Sequence, residues 1–174
     1  MAYRKYKKGY KQKYRPKKPV RYFSDLEVYQ KTHALSVFLE NHILGAKKKT
    51  KKSTSKKPYK ELIKEGSNEY DIVHKASMCA RGIPHLIAEA HSYRFGLQED
   101  CIIILEKVMA NCNKMVVYLE QIRDVCPVDV DADIFEEKIK EYHRIRRKIL
   151  NLQRVWRKYM HEKREEKINP KKIL

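Results

Sequence analysis

Residues 101–122, CIIILEKVMANCNKMVVYLEQI, leave little choice of fold. Cys101, Leu105, Val108, Cys112, Met115, Leu119 and Ile122 recur at alternating steps of four and three, which puts all seven on one line of an α-helix. Ile102, Met109 and Val116 form a second apolar line beside it, and Ile103, Ala110 and Val117 a third. A surface that wide needs several helical neighbours, so the segment predicts the core helix of a bundle with apolar surface left over for self-association. At 1.5 Å per residue it is about 33 Å long, and partner helices of matching length are expected.

Upstream, Ser24 and Glu27 have the S-x-x-E spacing of a capping box and Phe23 can staple onto Val28, so a first helix is predicted from Ser24. Leu26, Tyr29, His33 and Val37 line one side of it, and Val28, Leu35, Phe38 and Leu39 the adjacent side, to a stop near Leu44 and Gly45. Tyr59 to Glu65 reads as a short helix closed by Gly66, and Ser67 or Asn68 caps a second long helix that runs to about Tyr93. Pro84 is expected to bend that helix, because it removes one amide and crowds the carbonyl of Ala80. The third helix follows Gly96 and ends near Cys126 and Pro127; Asp129, Asp131 and Asp133 offer caps and negative charge to the start of a fourth. Those three aspartates lack the glycine and distal glutamate of a calcium loop.

In the fourth helix Tyr142, Ile145, Ile149, Leu152, Trp156 and Tyr159 form the apolar line. Lys140, Arg144, Arg147, Asn151, Arg154 and Lys158 keep the same rhythm two positions away, about 200° round and therefore on the opposite face. The expectation is an all-α protein: an antiparallel four-helix bundle over residues 23–165 with a basic loop at 45–58, assembling into a homo-oligomer through its leftover apolar surface. It is flanked by a basic, disordered N-terminal tail at 1–22 and a basic C-terminal tail at 166–174.

Charge says most about partners. Forty Lys and Arg against 22 Asp and Glu give a net +18, and 17 of those excess charges lie in residues 1–22 and 47–57, which contain no acid. A polyanionic partner explains such a balance better than any demand of folding. The N-terminal tail interleaves its cations with Tyr3, Tyr6, Tyr10, Tyr14 and Tyr22, a composition that cannot bury a core but suits RNA or single-stranded DNA. The candidate phosphate contacts are Arg4, Lys5, Lys7, Lys8, Lys11, Lys13, Arg15, Lys17, Lys18 and Arg21, with Tyr6, Tyr10 and Tyr14 as rings that stack on bases. The exposed line of the fourth helix adds Lys140, Arg144, Arg147, Arg154 and Lys158, with no acid between Arg144 and Met160. An acidic protein surface, including that of a neighbouring copy, is the other partner such a line would take. The lysine run at 47–57 reads equally as a solvated loop or a second phosphate-binding finger.

Four cysteines without paired spacing point to a reducing, cytoplasmic setting, and neither a membrane span nor a signal segment is expected. His85 and Glu89 are four apart and are placed to face His33, but the pattern falls short of the Glu and Glu-x-x-His sets of di-metal bundles; a polar pair is the plainer reading. Nothing in the spacing assembles a nucleophile, base and oxyanion site. No enzyme, metal or cofactor is expected.

Two blocks resemble a known family, the small four-helix-bundle proteins encoded within intervening sequences of bacterial 23S rRNA genes. Phe23-Ser24-Asp25-Leu26-Glu27-Val28-Tyr29-Gln30-Lys31 is similar to that family's Phe-x-Asp-Leu-x-Val-Trp-Gln-Lys opening, and Ala80 to Ala90, ARGIPHLIAEA, to its Ser-Ile-Pro-x-Asn-Ile-Ala-Glu-Gly block. Gly82, Leu86 and Ala90 depart from it. Related proteins are the accessory variability determinants of diversity-generating retroelements, pentameric barrels that work with a reverse transcriptase and its template RNA. Their last helix tends to end in Gly-Gly-Trp and a basic residue; Trp156-Arg157-Lys158 is similar, with Arg154 and Val155 in place of the glycines.

The resemblance implies a homo-oligomeric barrel, a pentamer if the likeness extends so far, that holds RNA, with or without its DNA copy, for a reverse transcriptase. A structural protein of a ribosome or other ribonucleoprotein is the alternative. A metal-binding bundle enzyme and an electrostatic binder of anionic membrane surfaces are further readings.

Overall fold

A computed structural model describes residues 20–43, 66–94, 98–128 and 130–168. The expected short helix at 59–65, Asp129, all of the basic loop and most of both tails lie outside the described residues.

The described residues form helices and no strand. A 3₁₀ turn, Phe23–Asp25, leads into α1, Glu27–Phe38, which closes in a π-helical turn, Leu39–Ile43. Three long helices follow: α2, Asn68–Tyr93; α3, Gln98–Val125; and α4, Ala132–Ile168. Here α4 runs three residues past the expected boundary at 165. Each helix packs on two others: α3 on α2 and α4, and α1 on α2 and more lightly on α4. That ring of contacts is a four-helix bundle. Expected partners of equal length are only partly found, since α1 has 12 residues and α4 has 37.

The seven residues of the α3 seam are all buried, none more than 2% exposed. From Leu105 onward they meet Val73, Ala76, Ala80, Ile83, Ile87 and Ala90 of α2 and Phe135, Ile139, Tyr142, Ile145 and Ile149 of α4, while Cys101 packs with Ile102 and Met160. Of the other apolar lines, Ile102 is buried and Met109 and Val116 are half-buried, while Ile103 and Val117 are about half exposed. The bundle therefore covers two lines of α3 and leaves the third outside.

The start of α1 differs from the capping-box expectation. Leu26 is buried and holds an extended conformation, so the α-helix begins one residue later, at Glu27, and Ser24 lies in the preceding turn. Phe23 packs edge-on against Tyr29 at 5.0 Å. On α1, His33 and Val37 are exposed, and Thr32 and Ser36 are buried in their stead. Their hydroxyls donate to carbonyls of their own helix, Thr32 to Val28 at 2.8 Å and Ser36 to His33 at 2.8 Å, which removes the penalty of burying them. Ser67 caps α2 by accepting from the Tyr70 amide at 3.2 Å, after Gly66 turns the chain at φ +88°. The helix runs through Pro84 unbroken. Asp131 accepts from the Asp133 amide at 3.1 Å at the start of α4.

The apolar line of α4 holds as far as Ile149 and then shifts. Gln153 and Met160 are buried, Leu152 and Trp156 are half-buried, and Tyr159 is 42% exposed. With 3.6 residues per turn, 153 and 160 lie as near the seam as 152 and 159. Gln153 is admitted because its amide donates to Glu106 of α3 at 3.0 Å.

Candidate nucleic-acid interface

All five predicted cations of α4, Lys140, Arg144, Arg147, Arg154 and Lys158, are exposed, on the face turned away from the core. Along the helix axis they extend over about 27 Å. Among the described residues Lys140, Arg144, Arg147 and Arg154 have no ion-pair partner, and Lys158 reaches only Glu162, one turn on, at 3.8 Å.

The basic residues on the flanks of α4 behave differently. Lys148 pairs with Glu27 of α1, Arg157 meets Glu106 of α3 at 2.9 Å, and Glu136 takes Arg123 of α3 at 2.6 Å. Lys138 sits 5.0 Å over the Phe38 ring. Lys148, with help from Lys31, holds the Glu27 carboxyl below the usual carboxylate range. These flank contacts lock α4 to its neighbours and fix which way the outer line points.

The N-terminal segment joins the same helix from the other side. Arg94, at the end of α2, donates to the carbonyls of Val20 at 3.0 Å and Arg21 at 3.5 Å, and contacts His91 one turn earlier. His91 is buried among rings, 6.5 Å from Phe23 and 6.4 Å from Trp156. Burial, and then the Arg94 charge, push its pKa below the ordinary histidine value, against a weaker opposing pull from Asp25. Burial lowers the Arg94 pKa below the ordinary guanidinium value, against a weaker opposing pull from Tyr159 of α4. The N-terminal segment is thus held, through His91, at the level of Trp156 on the inner side of α4.

Of the predicted tail contacts only Arg21 falls within the described residues, and it is exposed; Arg4, Lys5, Tyr6, Lys7, Lys8, Tyr10, Lys11, Lys13, Tyr14, Arg15, Lys17 and Lys18 lie outside them. Arg94 escaped sequence reasoning because its partners are more than 70 residues away.

His85 and Glu89 do not form the expected polar pair: both are exposed, with no hydrogen bond between them, while His33 stacks on Tyr29 at 6.2 Å. No three His, Cys, Asp or Glu side chains gather as metal ligands among the described residues. An open groove of about 430 Å³ between α3 and α4 is lined by Glu99, Ile102, Ile103, Glu106, Arg157, Met160 and His161, but its Glu106 is already engaged by Gln153 and Arg157. No described helix is long and apolar enough to cross a membrane.

Fold and surface together define an all-helical four-helix bundle with a cationic outer line on its longest helix. Models of known protein families, curated proteins and solved structures, compared with this chain, give no match.

Proposed function

We propose that the protein is a non-catalytic nucleic-acid-binding accessory protein that holds RNA phosphates along α4. The observation that carries this reading is the outer line itself: Lys140, Arg144, Arg147 and Arg154 are exposed and have no ion-pair partner among the described residues, while the flanking Lys148 and Arg157 are paired. Uncompensated like charges repel one another, and a polyanion relieves that repulsion while releasing its own counterions. The cations and rings of residues 1–22 would extend the contact, since the chain that carries them is held at the level of Trp156 of the same helix.

Self-association into a homo-oligomer is part of the proposal, supported by the half-exposed Ile103 and Val117 on the outer line of α3. The likeness of the two sequence blocks favours a reverse transcriptase and its template RNA as the assembly served. In that role the bundle supplies grip and shape, and base selection resides in the polymerase or the RNA fold.

The test is the salt dependence of RNA binding by the full chain. Replacing Lys140, Arg144, Arg147 and Arg154 by Gln should lower the slope of log K against log salt by about 3 for a single strand, with helicity unchanged. An unchanged slope and affinity would overturn the reading.

A further inference from the structure

We propose that the cationic line of α4 is closed at both ends by acids, so that it accepts a single nucleic-acid strand and turns away a long duplex. The inference rests on the RNA-binding reading and deepens it, because it names the form of the substrate.

The line does not stop at Lys140 and Lys158. Asp133 and Glu137 continue it toward the start of α4, and Glu162 and Glu165 toward its end, at the same steps of three and four. All four are exposed. With 3.6 residues per turn, the positions from Asp133 to Glu165 that keep this rhythm share one stripe of the helix, about 48 Å long. Along it come two acids, then five cations interrupted only by Asn151, then two acids.

The acids leave the cations of the line almost untouched. Glu162 reaches Lys158 at 3.8 Å, but Glu165 meets His161 at 3.5 Å and Glu137 meets Lys138, on the flank, at 3.4 Å. Glu137 lies about 4.5 Å along the axis before Lys140, and Glu162 about 6 Å beyond Lys158. Both spacings are inside the screening length of about 10 Å at 0.1 M salt, so a phosphate carried past either end of the cations meets like charge.

Stiffness then decides which nucleic acid fits. A duplex stays straight over about 500 Å, some ten times the length of the stripe. It either lies along the stripe and overruns an acid block, or crosses it and meets fewer cations. A single strand is flexible enough to follow all five cations with its backbone and leave the helix before the acids.

The test measures binding of three RNAs to the full-length protein at about 0.1 M salt. They are a 24-nucleotide oligouridine, a 24-base-pair duplex and an 8-base-pair duplex, the last about 27 Å long at 3.4 Å per pair and so no longer than the run of cations. Asp133→Asn, Glu137→Gln, Glu162→Gln and Glu165→Gln together should tighten the long duplex about fivefold or more, and the other two RNAs about twofold or less. Glu162→Gln with Glu165→Gln, far from the start of α4, should give part of that gain without disturbing the helix. Asp71→Asn, Glu89→Gln, Asp100→Asn and Glu120→Gln together make the same change in net charge from exposed sites on α2 and α3, and should tighten all three RNAs alike, about twofold or less. If the long duplex gains no more than the short one, or gains as much from the changes on α2 and α3, the acids do not bound the line while RNA binding by α4 stands. Failure of the unaltered protein to bind any of the three RNAs at low salt would overturn both.

Discussion

The guanidinium of Arg94 donates to the carbonyl of Val20 at 3.0 Å, closing a loop of 74 residues between the first described residue and the end of α2. Arg94→Gln should cost about 1 kcal/mol locally and speed amide exchange across residues 22–26 without altering helix content. Exchange as slow as in the original would show that the segment is held by Phe23 and Leu26 alone.

Neighbouring positions on α3 should respond very differently to truncation. Leu105 is fully buried in the seam and Ile103 is half exposed. Leu105→Ala should destabilise by about 2–5 kcal/mol in urea denaturation of the dilute protein, and Ile103→Ala by roughly 0.5 kcal/mol or less. Equal losses at low concentration would mean that α3 faces the core in another register.

His91 makes stability depend on acidity. Its pKa is lowered in the folded chain, so below an ordinary histidine value of about 6.5 the unfolded chain takes up a proton that the native state resists. Stability should fall as pH drops through 6.5 toward the native value and be indifferent to this group above it. His91→Gln, which leaves Arg94 an acceptor, should lose less stability than the original between pH 7.5 and 5.0. An identical pH dependence in the two proteins would remove His91 as the cause.

Burial, and then the neighbouring Cys79 thiol, push the Cys112 thiol up to about 12, outweighing an opposing pull from Arg146. At pH 8 its thiolate fraction should be roughly a thousandfold below that of an ordinary cysteine. Peptide mapping after alkylation should find Cys112 unmodified in the native protein and modified once urea unfolds it. Rapid native labelling would contradict its placement in the seam.

Sequence pattern revealed the bundle where apolar residues alone decide burial: the α3 seam, the Ser67 cap and the exposed line of α4 are where the periodicity puts them. It misled where a polar residue finds an internal partner. Thr32, Ser36 and Gln153 are buried because their helix carbonyls or Glu106 take their protons, and His33, Val37 and Tyr159, expected on the inner lines, face solvent instead. The late start of α1 has the same origin, since burial of Leu26 outweighs the Ser24 capping signal. Arg94 and His91 could not be found by pattern, because their roles come from groups distant in the chain.

The length of α4 carries a consequence of scale. If RNA phosphates follow it as proposed, the line from Lys140 to Lys158 is a ruler of about 27 Å, which corresponds to about eight nucleotides at a stacked rise of 3.4 Å per strand. Shorter oligomers leave graduations of that ruler unread, so affinity should climb with every added nucleotide up to about that length and then level off, and the same number should mark the smallest fragment shielded from a nuclease.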